Sequence, residues 1–553
     1  MPPEHAPTSL ANTSSEAPPD FQGQFRTDSL ACALYAEGAG IARCIPAAVA
    51  VPDDTAAVCT LVQWARREGH ALIPRGSGSG MASGAVGPNI VVDVSRFTTI
   101  GRVDVDRRRV VVGTGALRGD VDRAARAVGL RFPVDPSSGA FCTIGGMVGA
   151  NAAGARTLRF GATRAWVTGL RCVFDDGDAV WIRRDEPVPV GVPAISRLVT
   201  TLAQLGRAGH VDSLQHAGVR KESSGYAIAA ALTEGGHLLD LLVGSEGTLA
   251  IFTEIELRLI PVAGATATVL ATFVSLDAAT ACAVHARTVG ASACELLDRT
   301  FLDVAGTDGP TGVPSGAEAV LLVEVEGENE DDAAAAVERL AQLCRSHGAE
   351  EIVTAANPDA EHRLWALRHA ASPILARLAP RLRSMQFIED GCVPPAQFPT
   401  YLRGVRAALV RADMLGVIFG HAGDAHAHVN PLVDVTRSDW RDRVHGVLQD
   451  VCALTARCGG TLTGEHGDGR LRAPLLQHVW SVEARAAFAN VKAAGDPAGV
   501  FNPGCKIARP GDDPFAQLRH DPEAPMLDHR ARVALDTIER ERAWHLFRLD
   551  FAR

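Results

Sequence analysis

Two glycine-rich stretches hold four of the chain's 18 histidines: FGHAGDAHAHVN, 419–430, and GEHGDGR, 464–470. Imidazole and carboxylate crowded among glycines point to a metal, a general base, or both. His421 and His428 stand seven residues apart, which is not the i, i+4 spacing of ligands on one helix. A loop turning through Gly423 can bring both rings round. Gly464 and Gly467 flank Glu465-His466 and let consecutive side chains aim at one centre, which a regular strand forbids.

These residues need a large scaffold. At 553 residues the chain exceeds what one hydrophobic core supports, so two or three domains are expected. A net charge of −10 argues against a nucleic-acid partner, which needs a basic face. Twelve cysteines include no CxxC pair, which excludes iron–sulfur and zinc-ribbon sites built on close pairs. Free thiols in a reducing cytoplasm fit better. No run of 18 apolar residues exists, so no membrane span is expected. The opening MPPEHAPTSLANTSSEAPPDFQ is rich in Pro, Ser and Thr and reads as a disordered leader.

From Val51 to Pro261 helix and strand signals alternate. PDDTAAVCTLVQWARREGH carries Asp53 and Asp54 as cap candidates, apolar residues at helical spacing and Gly69 as a stop. NIVVDVS and RRVVVGTG read as strands. From Thr266 a strand–helix–strand pattern occurs twice, TATVLATFVS to ACELLD and EAVLLVEVEG to EEIVTA. The repeat predicts a ferredoxin-like antiparallel sheet with helices on one face. Beyond Ala508 a charged, helix-prone tail has no evident role.

PRGSGSGMASGA, 74–85, follows a strand, and its small residues suit a backbone nest for a pyrophosphate. The strand signal after it, in place of a helix, disfavours a Rossmann fold. Next come PVDPSSGAFCTIGGMVGANAAGARTLRFGATRAWVTGL, 133–170, then LLVGSEGTLAIFTEIELRLIP, 241–261, expected as two strands joined by a tight turn. NPGCKI, 502–507, closes the series. In this order the segments resemble the vanillyl-alcohol-oxidase-like (PCMH-type) FAD flavoproteins. Within these, the likeness is to the D-lactate/D-2-hydroxyglutarate dehydrogenase and glycolate oxidase subunit branch. The resemblance covers roughly Pro46 to Ile507.

It implies an α+β chain: a leader at 1–25, a PCMH-type FAD-binding domain at 26–262, and a substrate domain at 263–508. The last comprises a ferredoxin-like cap and a helical C-terminal segment, and a tail follows at 509–553. FAD would lie on Pro74, Arg75, Gly76, Ser77, Gly78, Ser79, Gly80, Met81 and Gly84. Asp135, Pro136, Ser137, Ser138, Thr143, Gly145, Gly146, Asn151 and Gly154 would line it further, with Glu246, Gly247, Ile251 and Asn502 completing the site. The first loop has no histidine, so the flavin would be non-covalent.

The same resemblance implies one divalent metal (zinc, manganese or iron) on His421, His428 and Glu465, with His466 as general base. Arg368 would hold the substrate carboxylate, with Ser372 and Asn430 beside it. The chain departs from the pattern at Ala425-His426; His426 is a fourth ligand, a neighbour of the ligands or an idle substitution. Ile388 stands where 2-hydroxyglutarate enzymes carry a lysine, leaving Arg381, Arg383 and Arg472 as spare cations. The implied activity is oxidation of a D-2-hydroxy acid to the 2-oxo acid. The alternatives are a non-catalytic electron-transfer subunit and an FAD oxidase of another alcohol. The resemblance extends to long fusions with an iron–sulfur module, which these cysteines do not supply. Electrons would therefore pass to a separate quinone, electron-transfer flavoprotein or iron–sulfur partner. A homodimer is allowed, and the expected location is the cytoplasm or the inner-membrane surface.

Overall fold

The computed structural model describes residues 17–209, 211–305, 316–369 and 381–552. Most of the expected leader lies outside them, but Gly23–Arg26, which begins inside its expected bounds, is a strand paired with Ala48–Pro52. The first sheet runs in the order Gly23–Arg26, Ala48–Pro52, Ile90–Asp93, Leu72–Arg75, the last three parallel. Helix Thr55–Glu68 connects two of these strands. The Asp54 side chain caps its first turn on Ala57 N, and Gly69 ends it in the left-handed region at φ 75°. Val58, Leu61, Val62 and Ala65 are buried against the sheet as their spacing requires.

A second, antiparallel sheet joins Arg109–Gly113, Ile251–Arg258, Val167–Val173 and Ala179–Arg183 in that order. One expectation fails before its central strand. Leu241 and Leu242, expected to open a strand, end the helix Leu238–Leu242, and the extended residues of this stretch are Ile251–Arg258 and the short Ile260–Pro261. His237 and Asp240 form a reciprocal cap that closes the first turn, and the short apolar stretch that follows Asp240 carries no period that separates helix from strand.

The third sheet has eight strands. Its first four run Glu351–Ala355, Ala265–Phe273, Ala319–Gly327, Ala291–Asp298, the ferredoxin-like order, with helices Leu276–His285 and Glu330–Ser346 packed into one core against it. Leu415–Gly420, His426–Asp434 and Leu382–Ser384 extend the same sheet, and Gly391–Cys392 pairs beside them. The architecture is α+β. The extension matters most, because Leu415–Gly420 and His426–Asp434 form the hairpin that carries the clustered histidines.

The tail is ordered over much of its length. Helix His529–Glu541 packs on helix Ser29–Leu34 through Ala531, Leu535, Ala31 and Leu34.

Candidate functional site

A cavity of about 1360 Å³ opens between the three sheets. That exceeds the roughly 300–1,000 Å³ of a single small-ligand pocket, leaving room for an extended dinucleotide and a small substrate together. Every residue expected on the first loop lines it: 74–81 and Gly84. So do Pro136, Ser137, Ser138, Thr143, Gly145, Gly146, Gly154, Glu246, Gly247 and Asn502. Arg75 lines the wall but does not offer its charge to a phosphate, since its guanidinium is buried and donates to the carbonyls of Tyr35, Glu37 and Ala85. It holds the loop.

Three expected cofactor residues lie outside the cavity. The Asp135 carboxylate is taken by Arg156 at 2.6 Å. Asn151 caps the helix Ile144–Ala150 at φ 52°, and its side-chain oxygen accepts from Arg164 N. Ile251, 1% exposed, packs in the core with Val173 and Phe501 because it opens a strand buried on both faces. His70, the histidine nearest the first loop, lies against Trp64.

At the far end the hairpin and the GEHGDGR loop meet. His421 follows strand Leu415–Gly420, a short turn at Ala422–Asp424 reverses the chain, and His428 pairs in register with Phe419. Ala425, where glycine would be at ease, completes the turn in the left-handed region at φ 56°. His421 Nδ1 donates to Glu295 Oε1 at 2.5 Å and His428 Nδ1 to the Glu389 carbonyl at 2.9 Å, so each presents a bare Nε2. These two nitrogens stand 3.3 Å apart, and Glu465 Oε1 lies 3.1 Å from one and 3.3 Å from the other. Three lone pairs so close repel unless a proton or a metal cation lies among them. Burial lowers the pKa of both histidines, but the neighbouring carboxylates outweigh it and raise it. Ligand atoms about 2.0–2.1 Å from one tetrahedral ion stand about 3.3–3.4 Å from each other, so this set fits a metal.

Glu465 is held ionised well below the usual carboxylate range: burial opposes this, but Lys221 and His421 outweigh it. His466 presses close, its ring stacked 5.3 Å from that of His428. Its Nδ1 donates to Glu389 Oε2 at 2.7 Å, which leaves Nε2 toward the cavity. Burial lowers its pKa, but the carboxylates of Glu389 and Asp390 prevail and push it up to about 9. A divalent cation on the adjoining atoms would oppose that proton.

His426 is fully buried, donates from Nε2 to Asp390 Oδ1 at 2.8 Å, and is pushed down to about 3, chiefly by burial. It is neutral and steadies Asp390, whose carboxylate accepts from the backbone N–H groups of Glu465 and His466. Of the substrate-side residues, Arg368 and Asn430 line the cavity. Arg368 gives Nε to Glu295 at 2.6 Å and lies over the Phe419 ring, leaving its Nη donors for an anion. Ser372 lies outside the described residues. Ile388 is buried in the core. Arg472 is buried against Glu389 and Asp390, and Arg381 pairs with Asp434; among the three spare cations Arg383 lines the cavity.

Sequence reasoning missed the residues that hold these groups. Glu295 left a signal, a carboxylate in the middle of the buried strand Ala291–Asp298. Glu389 and Asp390 sat beside Ile388 in a segment read for another purpose. Lys221 left none.

Glu246 ties the two halves together. At φ 54°, its carboxylate accepts from Asp468 N at 2.7 Å and Gly469 N at 2.8 Å, with Lys506 at 3.0 Å. Gly469 comes so close to the flavin loop that an added Cβ would lie 1.7 Å from the Ala82 carbonyl, at φ 53°. Gly469→Ala should therefore part the loops and weaken FAD binding at least about tenfold, the equivalent of 1.4 kcal/mol, against an overpacking cost of about 1–3 kcal/mol. Fluorescence titration of the apoprotein with FAD measures it.

Comparison with known proteins agrees with this geometry. Residues 46–183 match the FAD binding domain model, and residues 263–505 match the model for the C-terminal domain of FAD linked oxidases. The glycolate oxidase subunit GlcD of Bacillus subtilis is 29% identical over 84% of this chain and 90% of its own length. The D-lactate dehydrogenase of Archaeoglobus fulgidus is 28% identical over 83% of this chain and 91% of its own. The D-2-hydroxyglutarate dehydrogenase of Escherichia coli is 30% identical over 84% of this chain, which spans 48% of that longer protein. Among solved structures, an alkyldihydroxyacetonephosphate synthase shares the fold, with a TM-score of 0.60 at 14% identity over 89% of this chain and 83% of that one. With both halves matched in order around one cavity, the chain belongs to the FAD-linked oxidase family of flavoproteins.

Proposed function

We propose that this chain is an FAD- and metal-dependent dehydrogenase that oxidises a D-2-hydroxy acid to the 2-oxo acid. The observation that carries the reading is the convergence of His421 Nε2, His428 Nε2 and Glu465 Oε1, with His466 beside them, on the wall of the cavity that the flavin loops line. A passive electron-transfer subunit has no use for such a set. The relatives named for glycolate, D-lactate and D-2-hydroxyglutarate support the substrate class.

Arg368 binds the substrate carboxylate through its Nη groups, and Asn430 offers an amide to the same end of the molecule. His466 accepts the 2-hydroxyl proton at Nε2 while Glu389 holds its other nitrogen. Bound FAD supplies the acceptor for the two electrons and the C2 hydrogen that leave together as hydride. A metal on His421, His428 and Glu465 supplies Lewis acidity toward the hydroxyl oxygen. The electrons then pass to a separate acceptor: a quinone, an electron-transfer flavoprotein or an iron–sulfur protein. No helix among the described residues is long and apolar enough to cross a membrane.

The test is anaerobic bleaching of the bound flavin by matched D- and L-2-hydroxy acids, with and without a chelator. Bleaching by D-acids that chelation abolishes supports the reading. A flavin that stays oxidised with every acid sinks it.

A further inference from the structure

Residues 220–225 fall between the two family matches, in a loop that no sequence signal marks. Arg220 donates to the Gly423 carbonyl, the middle of the turn that brings His421 and His428 together. The next residue, Lys221, is fully buried and gives Nζ to Glu465 Oε2 at 2.9 Å and to the Gly154 carbonyl at 3.1 Å. Ser223 N donates to the Thr463 carbonyl at 2.9 Å and its hydroxyl to Gly464, while Gly225 N donates to Asp468 Oδ2 at 2.7 Å. One strap thus touches both loops of the histidine cluster and a residue of the flavin-lining segment.

Glu465 divides its oxygens: Oε1 joins the two imidazole nitrogens, and Oε2 goes to the lysine. Two opposite effects follow. The ammonium repels a cation, but Asp424 Oδ2 at 3.9 Å offsets part of its charge. Against this, Nζ fixes the carboxylate in one rotamer, and partners of this kind carry about 10–100-fold in metal affinity. We propose that Lys221 is a positioning residue that presents Glu465 to the metal and, with Arg220, assembles the metal site from its two separate loops. This rests on the metal reading above. It extends that reading to residues outside both family matches.

The test compares cobalt(II) binding, followed by its visible absorption, in FAD-loaded wild type, Lys221→Met and Lys221→Gln. Both variants should hold FAD within about twofold and lose about 10–100-fold in cobalt affinity. Once Glu465 is replaced by Gln, Lys221→Met should change cobalt affinity no further, because the pair acts as one unit. Equal cobalt affinity in all three proteins overturns the proposal. So does cobalt loss that tracks an equal loss of FAD, which marks a merely structural lysine. A wild type that binds no cobalt at all refutes the metal reading itself and is told apart from both.

Discussion

Replacing His466 by alanine should leave the protein yellow and folded but slow anaerobic flavin reduction by its 2-hydroxy acid about 10²–10⁴-fold, the usual contribution of a positioned general base. The side chain is 28% exposed and lines the cavity, and its ring is not part of an apolar core. Imidazole added to the buffer should enter the vacated space and restore part of the rate. Rapid-mixing measurement of flavin bleaching reads both effects. Reduction at the wild-type rate would remove His466 from the chemistry and move the base to another cavity group. His426 is not that group, since it is fully buried and its Nε2 is committed to Asp390.

A second large effect is expected from Glu465→Gln. The change removes one of three converging ligand atoms, so metal affinity should fall by more than the roughly 100-fold that an outer partner carries. It also takes the charged partner from Lys221, whose buried ammonium then shares the one remaining amide oxygen at 465 with the metal position and otherwise has the Gly154 carbonyl at 3.1 Å. Breaking a buried pair on one side costs about 3–5 kcal/mol, so the variant should melt earlier than a cavity-lining substitution such as Asn430→Ala. Thermal melting with and without added metal separates the two losses. The double change Glu465→Gln with Lys221→Met should regain stability but not metal affinity. A single variant that melts with the wild type would show the pair to be solvated in solution.

How much of this was legible depended on whether a residue's task shows in its immediate neighbours. The loop 74–84 was legible as a cavity wall because a backbone that must approach a ligand selects small residues in a row, and 76–80 alternates glycine with serine. His421 and His428 were legible as a pair because glycine at 423 advertises a turn between them. Ile251 misled for the opposite reason: it stands among the same small residues but opens a buried strand, and only the sheet decides which way it faces. Leu241 and Leu242 were misread because so short an apolar stretch has no distinguishing period; their helical state is fixed by a cap formed across His237 and Asp240. Lys221 and Glu295 were hidden by distance. Their partners lie 244 and 126 residues away, and no local pattern records such a contact.

The helix His529–Glu541 gives the protein a particular order of assembly. Its apolar face completes the core around Ser29–Leu34, and Arg532 reaches Glu37 across a separation of 495 residues. Arg519, Trp544 and Arg542 stand on the wall of the same cavity that the first flavin loop lines. A chain emerging from the ribosome at about 5–20 residues per second must therefore carry its first helix without its partner for roughly half a minute or longer. Contacts this distant in sequence form late and slowly. The flavin cavity lacks this wall until residues 519–544 have been made. A cofactor that binds before this wall forms meets a wider mouth than one that binds after it.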